Sequence, residues 1–487
     1  MTAIAHSQSG DLAGRTEDGI AIFRAVPYAA SPTGRLRFSA PQPAIPWIGQ
    51  RDATAHGPIA PQTPTRLAPA MGDFRKPMDE DCLTLTIWTP AADTAKRPVL
   101  VWLHGGAWMS GAASLDWYDG SVLAREAGIV VVGVNYRLGA LGYLHLPGVT
   151  PEEGDPGTLD QVAALAWVQA NIAAFGGDPA RVTVAGQSAG AASIGRLLLH
   201  PVACRQFRAA ILQSGSFGRP PLSRSAAAAT AGDYLGHLGF DPAAPDLGDR
   251  MRTVPVAALL DAQVALAAAR ARFAETNPPF MPTLPGALTQ PELIAAIAAA
   301  AEGKPLLIGA TREEVHAFFA SNPAMASLDP AKVAARFQAL GASEGAYRRR
   351  RPAGSPMDLL ADLSSDRTFL WPAMQLAEAA AGPVFGYQFN WAPPGSRFHA
   401  CHCIELPFVF GNFASWPDAG MLAGGGAGEM QALSAHIRAA WAAFIEHGDP
   451  SLPGLPWPRY DAGRRLTMQL DRVVSVAGDP AGMDSRR

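Results

Sequence analysis

The sequence predicts an α/β protein, with a large, mostly parallel central sheet flanked by helices. Residues 99–103 and 129–134 are unbroken apolar runs rich in β-branched side chains, as expected of strands buried on both faces. Residues 158–175 place Leu159, Val162, Leu165, Ala166, Val168 and Ile172 at helical spacing. From Pro98 onward such strands and helices alternate, which is the pattern of a doubly wound sheet.

Each further element follows in chain order. Residues 20–88 alternate short apolar runs with Pro and Gly, as in Ala25-Val26-Pro27-Tyr28, and predict strands and loops wrapping a surface. Strands are expected at 181–185 and 209–212. Residues 223–301 differ: they are alanine-rich and helical in character, broken by Pro278, Pro279, Pro282 and Pro285. They read as a helical insertion packed over the sheet, inside one large domain spanning 1–487. Strand character returns at 306–309 and 384–390, and a long helix is expected at 429–445. No internal repeat is evident.

Composition narrows the function classes. With 487 residues, 48% of them hydrophobic and 17% charged, the chain can bury a large interior. A net charge of −3 gives no electrostatic case for nucleic acid or an anionic membrane as partner. No run of 18 apolar residues occurs, and residues 1–14 have neither a basic nor an apolar leader segment. The four cysteines, Cys82, Cys204, Cys401 and Cys403, form no disulfide-rich pattern. A cytoplasmic monomer acting on a small molecule is expected.

The strongest chemical signal is Gly186-Gln187-Ser188-Ala189-Gly190, at the end of an expected strand and the start of a helix. Small residues on both sides of the serine permit a sharp turn that lifts its hydroxyl clear of the sheet. The helix start then aims free N–H groups at a developing oxyanion. An ordinary turn in a Gly- and Ala-rich chain is the plainer reading, and the strand–turn–helix context weighs against it. Upstream, His104-Gly105-Gly106-Ala107-Trp108 follows the strand at 99–103. The N–H groups of Gly106 and Ala107, with that of Ala189, make a three-donor oxyanion hole in this reading. Two pairs compete for the remaining roles: Glu313 or Glu314 as acid, and His399 or His402 as base.

With these motifs the chain resembles the type-B carboxylesterase family, which has the α/β-hydrolase fold. The matching stretches include Gly34-Arg35-Leu36-Arg37-Phe38, Glu80-Asp81-Cys82-Leu83 and Asn135-Tyr136-Arg137-Leu138-Gly139. Asp160-Gln161, Gly176-Gly177-Asp178-Pro179, Gln213-Ser214-Gly215 and Glu405-Leu406-Pro407-Phe408 continue the set. The family pattern places the acid four residues before the first Phe of the following segment, which implies Glu314, and leaves Glu313 as a solvated helix-start carboxylate. It sets the base three residues before Glu-Leu-Pro-Phe, which implies His402 and makes His399 a loop residue.

The resemblance implies a serine carboxylesterase that works through an acyl-enzyme and needs no metal or organic cofactor. Cys401-His402-Cys403 lacks the ligand number and spacing of a metal centre. Trp108, Phe217, Phe318 and Phe319 fall near catalytic positions and are expected to line an apolar pocket whose entrance the 223–301 insertion borders. His104, Ser214 and His316 are expected to be structural. An intact set of catalytic groups weighs against the silent, adhesive members of this fold. Two departures stand out. No cysteine precedes Cys82, so the disulfide of secreted eukaryotic members cannot form. Gln187 replaces the usual Glu before the nucleophile, which favours uncharged short- to medium-chain or aromatic esters over cationic ones.

Overall fold

The computed structural model describes residues 1–326 and 328–483, which fall into two compact units. The first comprises Met1–Thr65, Phe74–Ala210 and Pro220–Thr289; the second comprises Arg66–Asp73, Ile211–Arg219 and Gln290–Arg487.

The first unit opens with β1 (Thr2–Ser7), β2 (Gly10–Glu17), β3 (Ile20–Pro27), β4 (Gln50–Asp52), β5 (Thr84–Thr89), β6 (Arg97–Leu103), β7 (Val130–Val134) and β8 (Gly177–Gln187). They lie in the order β1-β2-β3-β5-β7-β6-β8, with β4 beside β2. Pairing is antiparallel along β1-β2-β3-β5-β7, and parallel between β2 and β4 and among β7, β6 and β8. The proline-punctuated N-terminal stretch therefore forms the antiparallel margin, and the continuous apolar runs form the parallel strands. Every residue of β7 is buried, as is β6 from Pro98 onward, which is why neither shows polar alternation. Strand β8 is longer than expected. Its first residues pair with Arg97 before a register shift that absorbs Pro179.

The helix Pro156–Asn171 ends four residues earlier than its apolar spacing predicts. Asn171 is drawn out of helical use: its Oδ1 accepts from Gln8 N at 2.8 Å, and a 3₁₀ turn, Ile172–Phe175, follows it. Asp160 on this helix binds Arg137 through two side-chain bonds of 2.6 and 2.8 Å and also accepts the Arg137 N–H. Both side chains are nearly sealed from solvent. Losing one partner of such a pair typically costs about 3–5 kcal/mol. The loop after β7 is thus tied to the helix by residues that have no role in chemistry.

The chain enters the second unit within β9 (Ala209–Gln213). Two short strands of the first unit, β10 (Leu222–Ser223) and β11 (Thr283–Leu284), pair in parallel and clip the helices Arg224–His237, Leu247–Thr253 and Val256–Ala269. Tyr234 donates to Leu259 O at 2.9 Å, and Arg37 joins Glu80 while donating to Val254 O at 2.6 Å. The next helix, Gln290–Ala300, belongs to the second unit, so the stretch 223–301 is divided at 289.

In the second unit β12 (Leu306–Thr311), β13 (Val384–Phe389) and β14 (Leu466–Leu470) pair in parallel, with β15 (Ser475–Gly478) antiparallel at the margin. The long helix Ala427–His447 ends at Gly448 in the left-handed conformation. Its Trp441 packs edge-on against Tyr387 of β13 at 5.3 Å. Among the described residues no single helix is long and apolar enough to cross a membrane.

Candidate active site

Ser188 stands between β8 and the helix Ala189–Leu199, with φ 58° and ψ −121°. A non-glycine residue held there costs on the order of 1–3 kcal/mol, so the surroundings must impose it. They do so by close packing. A Cβ at Gly190 would fall 2.0 Å from Leu103 O, so only glycine lets this helix lie against the end of β6. Gln187 is buried, with its Oε1 turned toward Gly105.

The loop after β6 has its own left-handed run: Gly106 at φ 117°, then Ala107 and Trp108 both at 58°. Three successive residues at positive φ are a sparsely populated backbone that the surrounding packing must impose. Any side chain at Gly106 would strike Ser110 O at 1.9 Å. Gly106 and Ala107 are partly exposed. Behind them His104 is fully buried and stacked on Tyr136 at 4.4 Å, and Tyr136 donates to His104 O at 2.7 Å. Burial pushes the His104 imidazole down to about 4, so it is neutral and serves as support. Trp108 is buried, its Nε1 donating to Ser193 Oγ at 3.0 Å.

In the second unit the structure brings His402 and Glu314 together. His402 Nδ1 is hydrogen-bonded to Glu314 Oε2, and both side chains are buried. The other oxygen of Glu314 accepts Thr311 N at 2.8 Å, and His402 N donates to Glu314 O at 3.1 Å. Glu314 is therefore fixed by the end of β12, and His402 by Glu314. His399 is three residues away and partly exposed, in the loop as expected.

Glu313 departs from expectation: it is only 3% exposed rather than solvated. Burial pushes its carboxyl up, but Arg312 and Arg351 outweigh that and hold it below the ordinary value. It bonds both guanidinium groups at 2.9 Å and accepts Ala400 N at 3.1 Å, and so anchors the loop that carries His399 and His402.

The four aromatic candidates separate. Phe217 and Phe319 are buried, whereas Phe318 is partly exposed and tilts against the His402 ring at 5.6 Å. Phe369 lies closer, at 4.8 Å from the same ring. It was not anticipated. Phe369 lies in a single π-helical turn, Asp366–Leu370, a distortion that often marks functional places and has no motif of its own. Glu405 is a second unanticipated group. It is buried and accepts from Gln213 Nε2 at 3.3 Å, and its other oxygen has no partner among the described residues. Burial, with the charge of Glu314, pushes its carboxyl up to about 8. Burial also raises the Cys401 thiol.

A hydroxyl raised on a strained strand-to-helix turn, beside a left-handed glycine loop, defines an α/β hydrolase. The pattern of the carboxylesterase family matches residues 2–483, and the chain belongs to that family; it is a carboxylic ester hydrolase. It is 37% identical to the phenmedipham hydrolase of Pseudarthrobacter oxydans, over 98% of this chain and 95% of that protein. It is equally 37% identical to the para-nitrobenzyl esterase of Bacillus subtilis, over 98% and 96%. Among solved structures, a thermophilic PNB esterase superposes with a TM-score of 0.86 at 35% identity, covering 100% of this chain and 99% of its own.

Proposed function

We propose that this chain hydrolyses uncharged carboxylic esters through an acyl-enzyme formed on Ser188. Ser188 Oγ attacks the ester carbonyl while His402 takes its proton and passes it to the leaving alcohol. Glu314 holds the imidazole in the Nδ1–H tautomer and stabilises the imidazolium. The N–H groups of Gly106, Ala107 and Ala189 receive the oxyanion. Water then repeats the sequence on the acyl group, and no cofactor takes part. Small uncharged acyl and alcohol groups, short- to medium-chain or aromatic, suit a site that has Gln187 beside the nucleophile and Phe318 beside the base.

The observation that carries this reading is the strained, positive-φ backbone of Ser188 at the head of its helix. The hydrogen bond between His402 and Glu314 supports it independently. The relative named for para-nitrobenzyl esters makes aryl esters the natural panel for testing. The reading extends to a reducing, cytoplasmic setting, which the lack of any disulfide among the described residues supports.

The test is substitution and labelling. Ser188→Ala should lose turnover of para-nitrophenyl esters by on the order of 10⁶-fold, with its circular dichroism unchanged. A serine-directed organophosphonate should label the wild-type chain at Ser188 alone. Substantial turnover by pure Ser188→Ala would defeat the proposal.

A further inference from the structure

We propose that His316, Asp358 and His399 form a binding site for one divalent transition-metal ion of the zinc, cobalt or nickel class. All three belong to the second unit, and their ligand atoms lie within 4.8 Å of one another. They come from three separate stretches of chain: the head of the short helix His316–Phe319, the first turn of the helix Pro356–Ser365, and the loop before His402.

The geometry converges on one carboxylate oxygen. Asp358 Oδ1 is 3.3 Å from His316 Nε2 and 4.0 Å from His399 Nε2, and the two imidazoles meet edge to face at 4.7 Å. A tetrahedral ion with bonds of about 2.0–2.2 Å separates its ligands by roughly 3.3–3.6 Å. The first distance already fits, and the second closes with a shift of about half an ångström, from a separation too long for a hydrogen bond.

The carboxylate is pre-aimed. Asp358 Oδ2 accepts Ser355 N at 2.9 Å and Ser355 Oγ at 2.8 Å, which leaves Oδ1 facing the imidazoles. The His399 loop is held in turn by the bond from Ala400 N to Glu313. His316 is fully buried, whereas Asp358 and His399 are 19% and 33% exposed, so an ion enters from their side and retains water as its fourth ligand. Two imidazoles and one carboxylate are the donor set of borderline divalent ions. One cost is visible: His316 Nδ1 has no partner among the described residues and would carry the proton when Nε2 binds metal. That lowers the affinity below that of a fully supported zinc centre.

The test uses the untagged, metal-free full chain, titrated with zinc by calorimetry and with cobalt by visible absorption. One saturable equivalent is expected, with the intense d–d bands of a low-coordinate cobalt site. Asparagine tolerates the left-handed backbone at position 399, and at position 358 it keeps the capping oxygen. His399→Asn and Asp358→Asn should each weaken binding by on the order of 100-fold or more, beyond the loss typical of an outer-shell partner. Thermal melts should show that both variants are folded. Absence of saturable binding below about millimolar zinc overturns the proposal. So does a cobalt spectrum that either variant leaves unchanged.

Discussion

His402 turns its Nδ1 to the carboxylate of Glu314, and the two side chains are 1% and 0% exposed. A hydrogen bond so shielded from water fixes the orientation of the imidazole.

Glu314→Gln should therefore lower kcat by on the order of 10⁴-fold with little change in KM, because the amide permits the wrong tautomer. His402→Ala should cost about as much as loss of the nucleophile. Steady-state kinetics on a para-nitrophenyl ester measure both. Retention of more than roughly a tenth of kcat by Glu314→Gln would assign the acid elsewhere.

Glu313→Gln should separate stability from chemistry. Removing the buried carboxylate unpairs Arg312, which is 39% exposed, and leaves Arg351 with Asp362 alone, so the loss is about 1–3 kcal/mol. Its carboxyl is depressed in the folded state, so the stabilisation is present above an unfolded value of ~4.3 and is lost as the pH falls through the lower folded value. Denaturant melts should show the variant weakened at neutral pH, with the difference shrinking in acid, while kcat/KM stays within a few-fold.

Gly106→Ala should disable the proposed oxyanion loop. The added methyl would meet Ser110 O, and the φ of 117° is foreign to alanine. Loss of oxyanion donors typically costs 10²- to ~10³-fold in kcat. Unchanged kcat in a folded variant would show that the loop is not the donor.

Glu405→Gln should flatten the dependence of stability on pH. A carboxyl raised to about 8 contributes stability that is fully present below an unfolded value of ~4.3 and is lost as the pH rises through 8. The amide cannot ionise, so the melting temperature of the variant should gain on that of the wild type across this window. Parallel curves would mean that Glu405 is ionised in the native enzyme at neutral pH.

Gln187→Glu places a carboxylate next to Ser188 in a buried position. In the proposed triad this raises the pKa of the base, so the acidic limb of kcat/KM moves upward by about one unit. Matched neutral and quaternary-ammonium esters should show selectivity shifting toward the cation. Profiles that superpose with the wild type would mean that position 187 does not sense the base.

Much of the fold was legible because buried parallel strands are written as unbroken apolar runs, as in Val130–Val134. The serine turn was legible because its glycines are dictated by backbone contact, as between Gly190 and Leu103. The acid and base were not separable by residue type, since Glu313 and Glu314 are adjacent and both buried. What distinguishes them is a third party: Arg351 draws Glu313 away, and nothing near position 313 announces that. Phe369 stayed hidden for a similar reason, its position set by one extra residue in a helical turn.

The division of the chain has a consequence for synthesis. The first unit recruits residues as late as Thr289, whereas the second claims Arg66–Asp73 from near the start. A nascent chain therefore holds no complete unit until well past its midpoint, and the early strands must wait with their apolar faces uncovered. Long-range closure of this kind slows folding and lengthens exposure to aggregation. Fragments cut at a single point between Arg66 and Thr289 would leave both units incomplete, so this enzyme should resist splitting into separately expressed halves.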